Sequence, residues 1–264
     1  ALNYGIGMVN SYLLPYAIVW ALIHRIKYAW LVIAYFFFFS LLTLEKAYFL
    51  RLFIPLFIYY FFVSKYKITY ILVSLSTIFG LFVVMFILSG FGGAETSGSN
   101  ANIDFFSMLY APQNPIDSIL KRSLVVPLIT ALDALQVFSS AFSSEFFYGD
   151  TSSLLAFLKG TERLNFERYL YQYQFGGADT GNSNQMYLIE AFINYGNIGV
   201  VLFSGFVALI IRSFIHSRDI GLIAMCPLII YNLFNAGLIA SLFSGGLFVL
   251  IFFHLVFRMR RQAE

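Results

Sequence analysis

The sequence predicts an all-α, polytopic helical membrane protein, and three observations predict it. Of its 264 residues, 60% are hydrophobic and only 11% are charged, against about 45–50% and about 25% in ordinary soluble domains. Aromatic residues reach 20%, with 32 Phe and 18 Tyr, which suits lipid-facing helices and their interfacial ends. The apolar residues gather into long runs joined by short, basic connections. A water-soluble core of this size cannot hide that excess, so lipid is the expected solvent for much of the surface.

Seven runs are long enough to cross about 30 Å of hydrocarbon. They cover 4–23, 28–44, 48–63, 69–91, 184–211, 220–238 and 241–257. Four spans therefore fill 1–91, a large loop fills 92–183, and three spans with a basic tail fill 184–264. The second and third runs are short; tilting together or snorkelling ends would accommodate them.

Orientation follows from the basic residues. His24, Arg25 and Lys27 lie in one connection, Lys65 and Lys67 in another, and Arg212 and Arg218 in a third. The tail adds Arg258, Arg260 and Arg261. With seven alternating spans, all four groups fall on the same side, which the positive-inside rule makes cytoplasmic. The C-terminus is then cytoplasmic, while Glu45, Lys46 and the loop 92–183 lie outside. The chain begins at Ala1 with no signal-peptide pattern, so further sequence is expected upstream.

The loop opens with Gly90, Gly92, Gly93 and Gly98 among Ser and Asn, a flexible exit from the membrane. Residues 119–142 read as a helix with Pro127 near its first turns. At about 100° per residue, Arg122, Asp133, Gln136 and Ser140 form a narrow polar stripe. Leu124, Val125, Leu128, Leu132, Leu135 and Phe138 occupy the other faces. Such a helix is expected to lie on or dip into the outer leaflet.

Downstream come Lys159, Glu162, Arg163, Glu167, Arg168 and Asp179. A guanidinium is a planar, permanently charged fork for phosphate oxygens, so Arg163 and Arg168 are candidates to hold a phosphorylated lipid. The competing reading pairs them with Glu162 and Glu167, or with lipid headgroups. Lys46 and Arg51 flank the outer end of the third span; they would either join this group or snorkel.

Glu190 lies inside the predicted fifth span, and an ionisable group there is a functional-site hypothesis by default. Asn194 and Asn197 follow at helical spacing, so the three are expected on one face, with Asn184 and Gln185 at the helix entrance. Glu190 would act as a general base on an acceptor hydroxyl or orient that acceptor; the alternative is a buried Glu paired with Arg or Lys for packing specificity. Asn232 and Asn235 are expected to hydrogen bond between helices.

Several function classes are disfavoured. The single cysteine, Cys226, permits no internal disulfide. His24, His216 and His254 show no zinc- or iron-type spacing, and there is no phosphate-binding or dinucleotide glycine motif, so no cofactor is implied. No serine–histidine pairing occurs on the outer side. Nothing points to nucleic acid as a partner.

The stretch Gly176-Gly177-Ala178-Asp179-Thr180-Gly181-Asn182-Ser183-Asn184-Gln185, continuing through Tyr195-Gly196 and Gly199-Val200, resembles bacterial O-antigen and capsular repeat-unit polymerases of the Wzy type just after their large periplasmic loop. There an Asn-containing loop leads into a helix with an acidic residue, an aromatic–Gly pair and a Gly–Val step. Lys121-Arg122 through Pro127, and Glu45-Lys46, fit more loosely. Such polymerases have ten or more spans, so seven here departs from the pattern.

The resemblance implies a fold similar to GT-C glycosyltransferases. It also implies metal-independent transfer of a glycan from undecaprenyl pyrophosphate to a lipid-linked repeat unit in the cytoplasmic membrane. Arg122, Arg163 and Arg168 would neutralise the departing pyrophosphate, with Lys46, Asn184 and Asn194 assisting binding. Glu190 or Asp179 would activate the acceptor. Membrane lipid and a chain-length regulator protein are the further partners implied. An O-antigen-ligase-like enzyme and a non-catalytic flippase or transporter are the rival readings.

Overall fold

The computed structural model describes residues 7–43, 46–63, 125–177, 181–183 and 185–263, together with a few isolated positions. Most of the predicted fourth span, the start of the loop, Arg122, Asp179 and Asn184 lie outside the described residues, as does the side chain of Lys46. Among the described residues every regular element is helical.

A π-helical turn, Val9–Leu13, leads into α1 (Leu14–Ile23), followed by α2 (Ala29–Thr43) and α3 (Lys46–Val63). The loop contains α4 (Val126–Ala141), α5 (Ser153–Lys159) and α6 (Phe166–Gln174). Then come α7 (Tyr187–His216), α8 (Ile220–Asn235), α9 (Leu238–Phe243) and α10 (Leu247–Ala263). Helix α7 is long and apolar enough to cross a membrane; α1 with its π turn, α3, α4, α8 and α10 contain shorter apolar stretches.

The chain divides into two compact units. The first is Ala1–Ser89, Val207–Asn232 and Ser241–Glu264; the second is Gly90–Phe206 and Leu233–Ala240. In the first unit, Ile18, Phe36 and Leu52 bury against one another with Leu14, Leu22, Val32, Ile33 and Leu56 around them. Val19, Tyr59 and Ala224 form a neighbouring cluster. Trp30, Tyr35 and Phe38 of α2 are exposed, so that helix carries apolar residues outside its packed face as well. Tyr12 and Asn232 are buried here with their side chains beside one another. Arg51 also lies in this unit, close enough to Tyr12 to act on it electrostatically.

The core of the second unit is Ala134, Val137 and Phe138 of α4, Phe166 and Leu170 of α6, and Ile193 of α7. Phe166, Leu170 and Gln174 are buried at four-residue spacing, so α6 presents one face inward. Asn165 caps α6 by accepting from the Arg168 N–H, and Ser152 caps α5 by accepting from the Leu155 N–H; both satisfy donors that a helix start leaves unpaired. Gly160, at φ 70°, closes α5 in the left-handed region that glycine enters without strain.

Two boundaries differ from the sequence reading. The predicted spans 220–238 and 241–257 are interrupted by α9, a separate short helix bounded by Gly237 and by Gly245 and Gly246. The predicted helix 184–211 is broken at Gly196, where φ 63° and ψ −152° are non-helical. That combination is accessible essentially to glycine alone.

Candidate functional site

The break at Gly196 organises the second unit. Carbonyls released from the helical ladder need other donors, and the loop before α5 supplies them. The Phe147 N–H donates to Ile193 O at 3.1 Å and the Tyr148 N–H to Asn194 O at 3.0 Å. Asn194, buried, fastens the same loop with its side chain. Its Oδ1 accepts the Gly149 N–H at 2.8 Å, and its Nδ2 donates to Thr151 Oγ1 at 2.8 Å and to Glu190 O at 2.8 Å. The chain then turns so sharply that Gly199 packs on the backbone of Ala191 and on Tyr195, an approach a straight helix cannot make across eight residues.

Asn197 consequently leaves the face it was expected to share. Glu190 and Asn194 are buried on the segment before the break, whereas Asn197 lies beyond it and is exposed. The helical register on which the three-residue stripe depended ends at Gly196.

Glu190 is 7% exposed. Its Oε2 accepts the Leu238 N–H at 2.6 Å and the Ile239 N–H at 3.4 Å. The carboxylate thus caps the start of α9 from another part of the chain, satisfying donors that would otherwise be orphaned. Gly237 admits it: a Cβ there would fall 2.7–2.9 Å from the carboxyl atoms.

Charged groups gather around this clamp. Glu167 and Glu190 are near enough to act on each other electrostatically. Arg163 Nη2 lies 3.8 Å from Glu167 Oε2, and Arg163 Nε donates to Thr151 O at 3.1 Å. Lys159 Nζ lies 2.6 Å from Asp150 Oδ1, which also accepts from Thr161 Oγ1 at 2.7 Å. The Tyr195 hydroxyl abuts Gly149 and feels Lys159, Asp150 and Glu190.

The environments of these carboxyls differ. The hydrogen bonds from Lys159 and Thr161 hold Asp150 below the usual carboxylate range. Burial pushes Glu167 upward, with Arg163 opposing. Burial likewise raises Asp133, against the bond it accepts from Gln174 Nε2 at 2.8 Å. Gln174 in turn accepts from Ser183 Oγ, and the Ser183 N–H donates to Glu167 O at 3.0 Å. The polar loop before α7 is thereby laid back over α6.

Of the residues singled out from sequence, the second unit brings together Arg163, Glu190 and Asn194. Arg168 is exposed in the first turn of α6, one residue beyond Glu167. Gln185 is buried, and its Nε2 has no hydrogen-bond partner among the described residues. Sequence reasoning missed Asp150 and Thr151, and took Tyr195 only as part of the Tyr195-Gly196 pair. The capping signature Ser152-to-Gly160 around α5 was the available pointer to the first two.

Comparison with protein-family models, with curated proteins and with solved structures yields no match.

Proposed function

We propose that the chain is a multi-pass membrane glycosyltransferase of the polysaccharide-polymerase kind, acting on lipid-pyrophosphate-linked glycans at the outer face of the bacterial cytoplasmic membrane. The observation that carries the reading is the gathering of Lys159, Arg163, Glu167, Glu190 and Tyr195 around the break that precedes the apolar part of α7. A polar cluster at the end of an apolar helix suits a substrate whose tail is lipid and whose head is a charged saccharide. The resemblance of 176–201 to repeat-unit polymerases supports the same class.

In this reading an acceptor hydroxyl attacks the anomeric carbon as the bond to the pyrophosphate oxygen breaks. The hydroxyl proton passes to a carboxylate, and the lipid pyrophosphate departs as an anion. Arg163 and Arg168, with Arg122, neutralise that charge without a metal. Glu190 Oε2 is occupied by two backbone donors, so Glu190 positions the site. Glu167, part-exposed and with its proton affinity raised by burial, is the better-suited proton acceptor. Asp179 remains the alternative base.

The test is complementation of a polymerase-deficient strain with the full-length protein. The unmutated protein restores long-chain polysaccharide, and Glu167→Gln and Arg163→Ala do not. Failure of the unmutated protein in its native background removes the function; polymer of normal length from both variants removes the site. Attachment of glycan to lipid A core in place of polymer would favour the ligase reading.

A further inference from the structure

Helix α5 exposes an apolar face that no described residue of the second unit covers. Phe157 is 80% exposed, Leu158 70% and Leu154 42%. Their i, i+3, i+4 spacing puts them on one side of the helix. The opposite side is attached to the unit: Ala156 is buried, and Leu155 packs against Gly149.

That attachment fixes the level at which α5 sits. Gly149 donates its N–H to Asn194 and abuts the Tyr195 hydroxyl. Asn194 and Tyr195 immediately precede the break at Gly196. Beyond it, 197–216 is long enough, at about 1.5 Å per residue, to cross about 30 Å of hydrocarbon. Ile198, Val201 and Leu202 open that stretch and are exposed. The bare face of α5 is thus tied to the point where the apolar part of α7 begins, which is where a bilayer boundary falls.

We infer that α5 is an interfacial anchor: Leu154, Phe157 and Leu158 enter the acyl region of the same leaflet that receives the start of the apolar part of α7. The inference rests on the membrane reading of α7. The occupant of this face is lipid, because α5 is held through Gly149 at Asn194 and Tyr195, immediately before the exposed aliphatic stretch of α7 that Ile198 and Val201 open. The flanking groups suit the boundary. Tyr148 is 62% exposed beside the helix, and aromatic residues with a polar tip collect at headgroup level. Lys159 ends the helix with its ammonium already engaged by Asp150 and Tyr148 O, so its charge stays at the water side while its stem covers apolar surface. Anchoring α5 would hold Asp150, Lys159 and Arg163 at the height of lipid headgroups, where a lipid-linked substrate carries its phosphates.

The test places a nitroxide at Phe157→Cys or Leu158→Cys, in a Cys226→Ala background, in nanodiscs of phosphatidylethanolamine and phosphatidylglycerol. Val201→Cys is the control on α7. Collisional relaxation by oxygen reports lipid, and by nickel–EDDA reports water. The inference expects oxygen to dominate at 157, 158 and 201. Nickel–EDDA dominating at 157 and 158 while oxygen dominates at 201 overturns the anchor and leaves the span intact. Nickel–EDDA dominating at all three positions overturns the membrane reading of α7 itself. Low accessibility to both reagents at 157 and 158 would show a protein covering this face, a second copy or another partner, and also overturns the inference.

Discussion

The Glu190 carboxylate receives the backbone N–H of Leu238 at 2.6 Å, across 48 positions of sequence. This bond converts a residue that reads as a lone acid in an apolar helix into the cap of a second helix. Glu190→Ala leaves one buried and one part-buried amide donor without an acceptor, a loss of about 1–3 kcal/mol. Glu190→Gln keeps a carbonyl oxygen in place and costs less. Thermal denaturation in detergent checks this: the account expects a clear fall for Ala and a smaller one for Gln. Equal, unshifted midpoints for both would show that the cap contributes nothing.

Gly237→Ala attacks the same clamp from the other side. The added methyl meets the Glu190 carboxyl at 2.7–2.9 Å, closer than ordinary van der Waals contact, so Glu190 or α9 must move. Its destabilisation should be strongly non-additive with that of Glu190→Ala, which removes the clashing group. A double-mutant cycle on unfolding midpoints measures the coupling, and simple addition would contradict the clamp.

Gly196→Ala forces an L side chain into φ 63°, ψ −152° and brings a methyl to within 3.0 Å of the Phe146 ring. The expected loss is about 1–3 kcal/mol from backbone strain. Hydrogen exchange at Phe147, Tyr148 and Gly149 should accelerate, because their acceptors Ile193 O, Asn194 O and Asn194 Oδ1 sit at the break. Unchanged protection of these amides would count against the break as the organiser of the loop.

Asp133 gives a pH signature with a definite sign. Burial raises its folded-state pKa above the ordinary value, so the folded protein binds that proton more tightly than the unfolded chain. Its contribution favours folding below the ordinary carboxylate pKa and is lost as pH rises through the raised value. Asp133→Asn, which still accepts from Gln174, should raise the melting temperature at neutral pH. The gain should fade as pH falls below about 4. A pH-independent difference would assign it to packing.

Much of the helix layout was readable because long apolar runs bounded by polar and glycine-rich residues mark helices. The runs 28–44 and 48–63 appear as α2 and α3, and 119–142 contains α4. The acidic and basic residues after α4 were also visible as a group. The break at Gly196 was not, since glycine in a helix is ambiguous until the groups that receive its freed carbonyls are known, and Phe147 and Tyr148 lie far upstream. For the same reason Asn197 was placed on the face of Glu190 and Asn194, although the register had ended. The cap that Glu190 forms was not legible, because its partners, the N–H groups of Leu238 and Ile239, are backbone amides without a sequence signature. Helix α5 is too short for its periodicity to be distinguished from a loop; only its caps, Ser152 and Gly160, marked it.

The central claim is that the charged cluster beside Gly196 transfers a glycan from a lipid pyrophosphate. Its most direct measurement is single-component synthesis in proteoliposomes, with full-length protein and a radiolabelled lipid-pyrophosphate-linked repeat unit. The account predicts a ladder of lengthening products from the unmutated protein and at least a 100-fold slower reaction, or about 2.7 kcal/mol, from Glu167→Gln and Arg163→Ala at unchanged melting temperature. Unchanged rates in both variants, or no lengthening of the substrate by the unmutated protein, would contradict it.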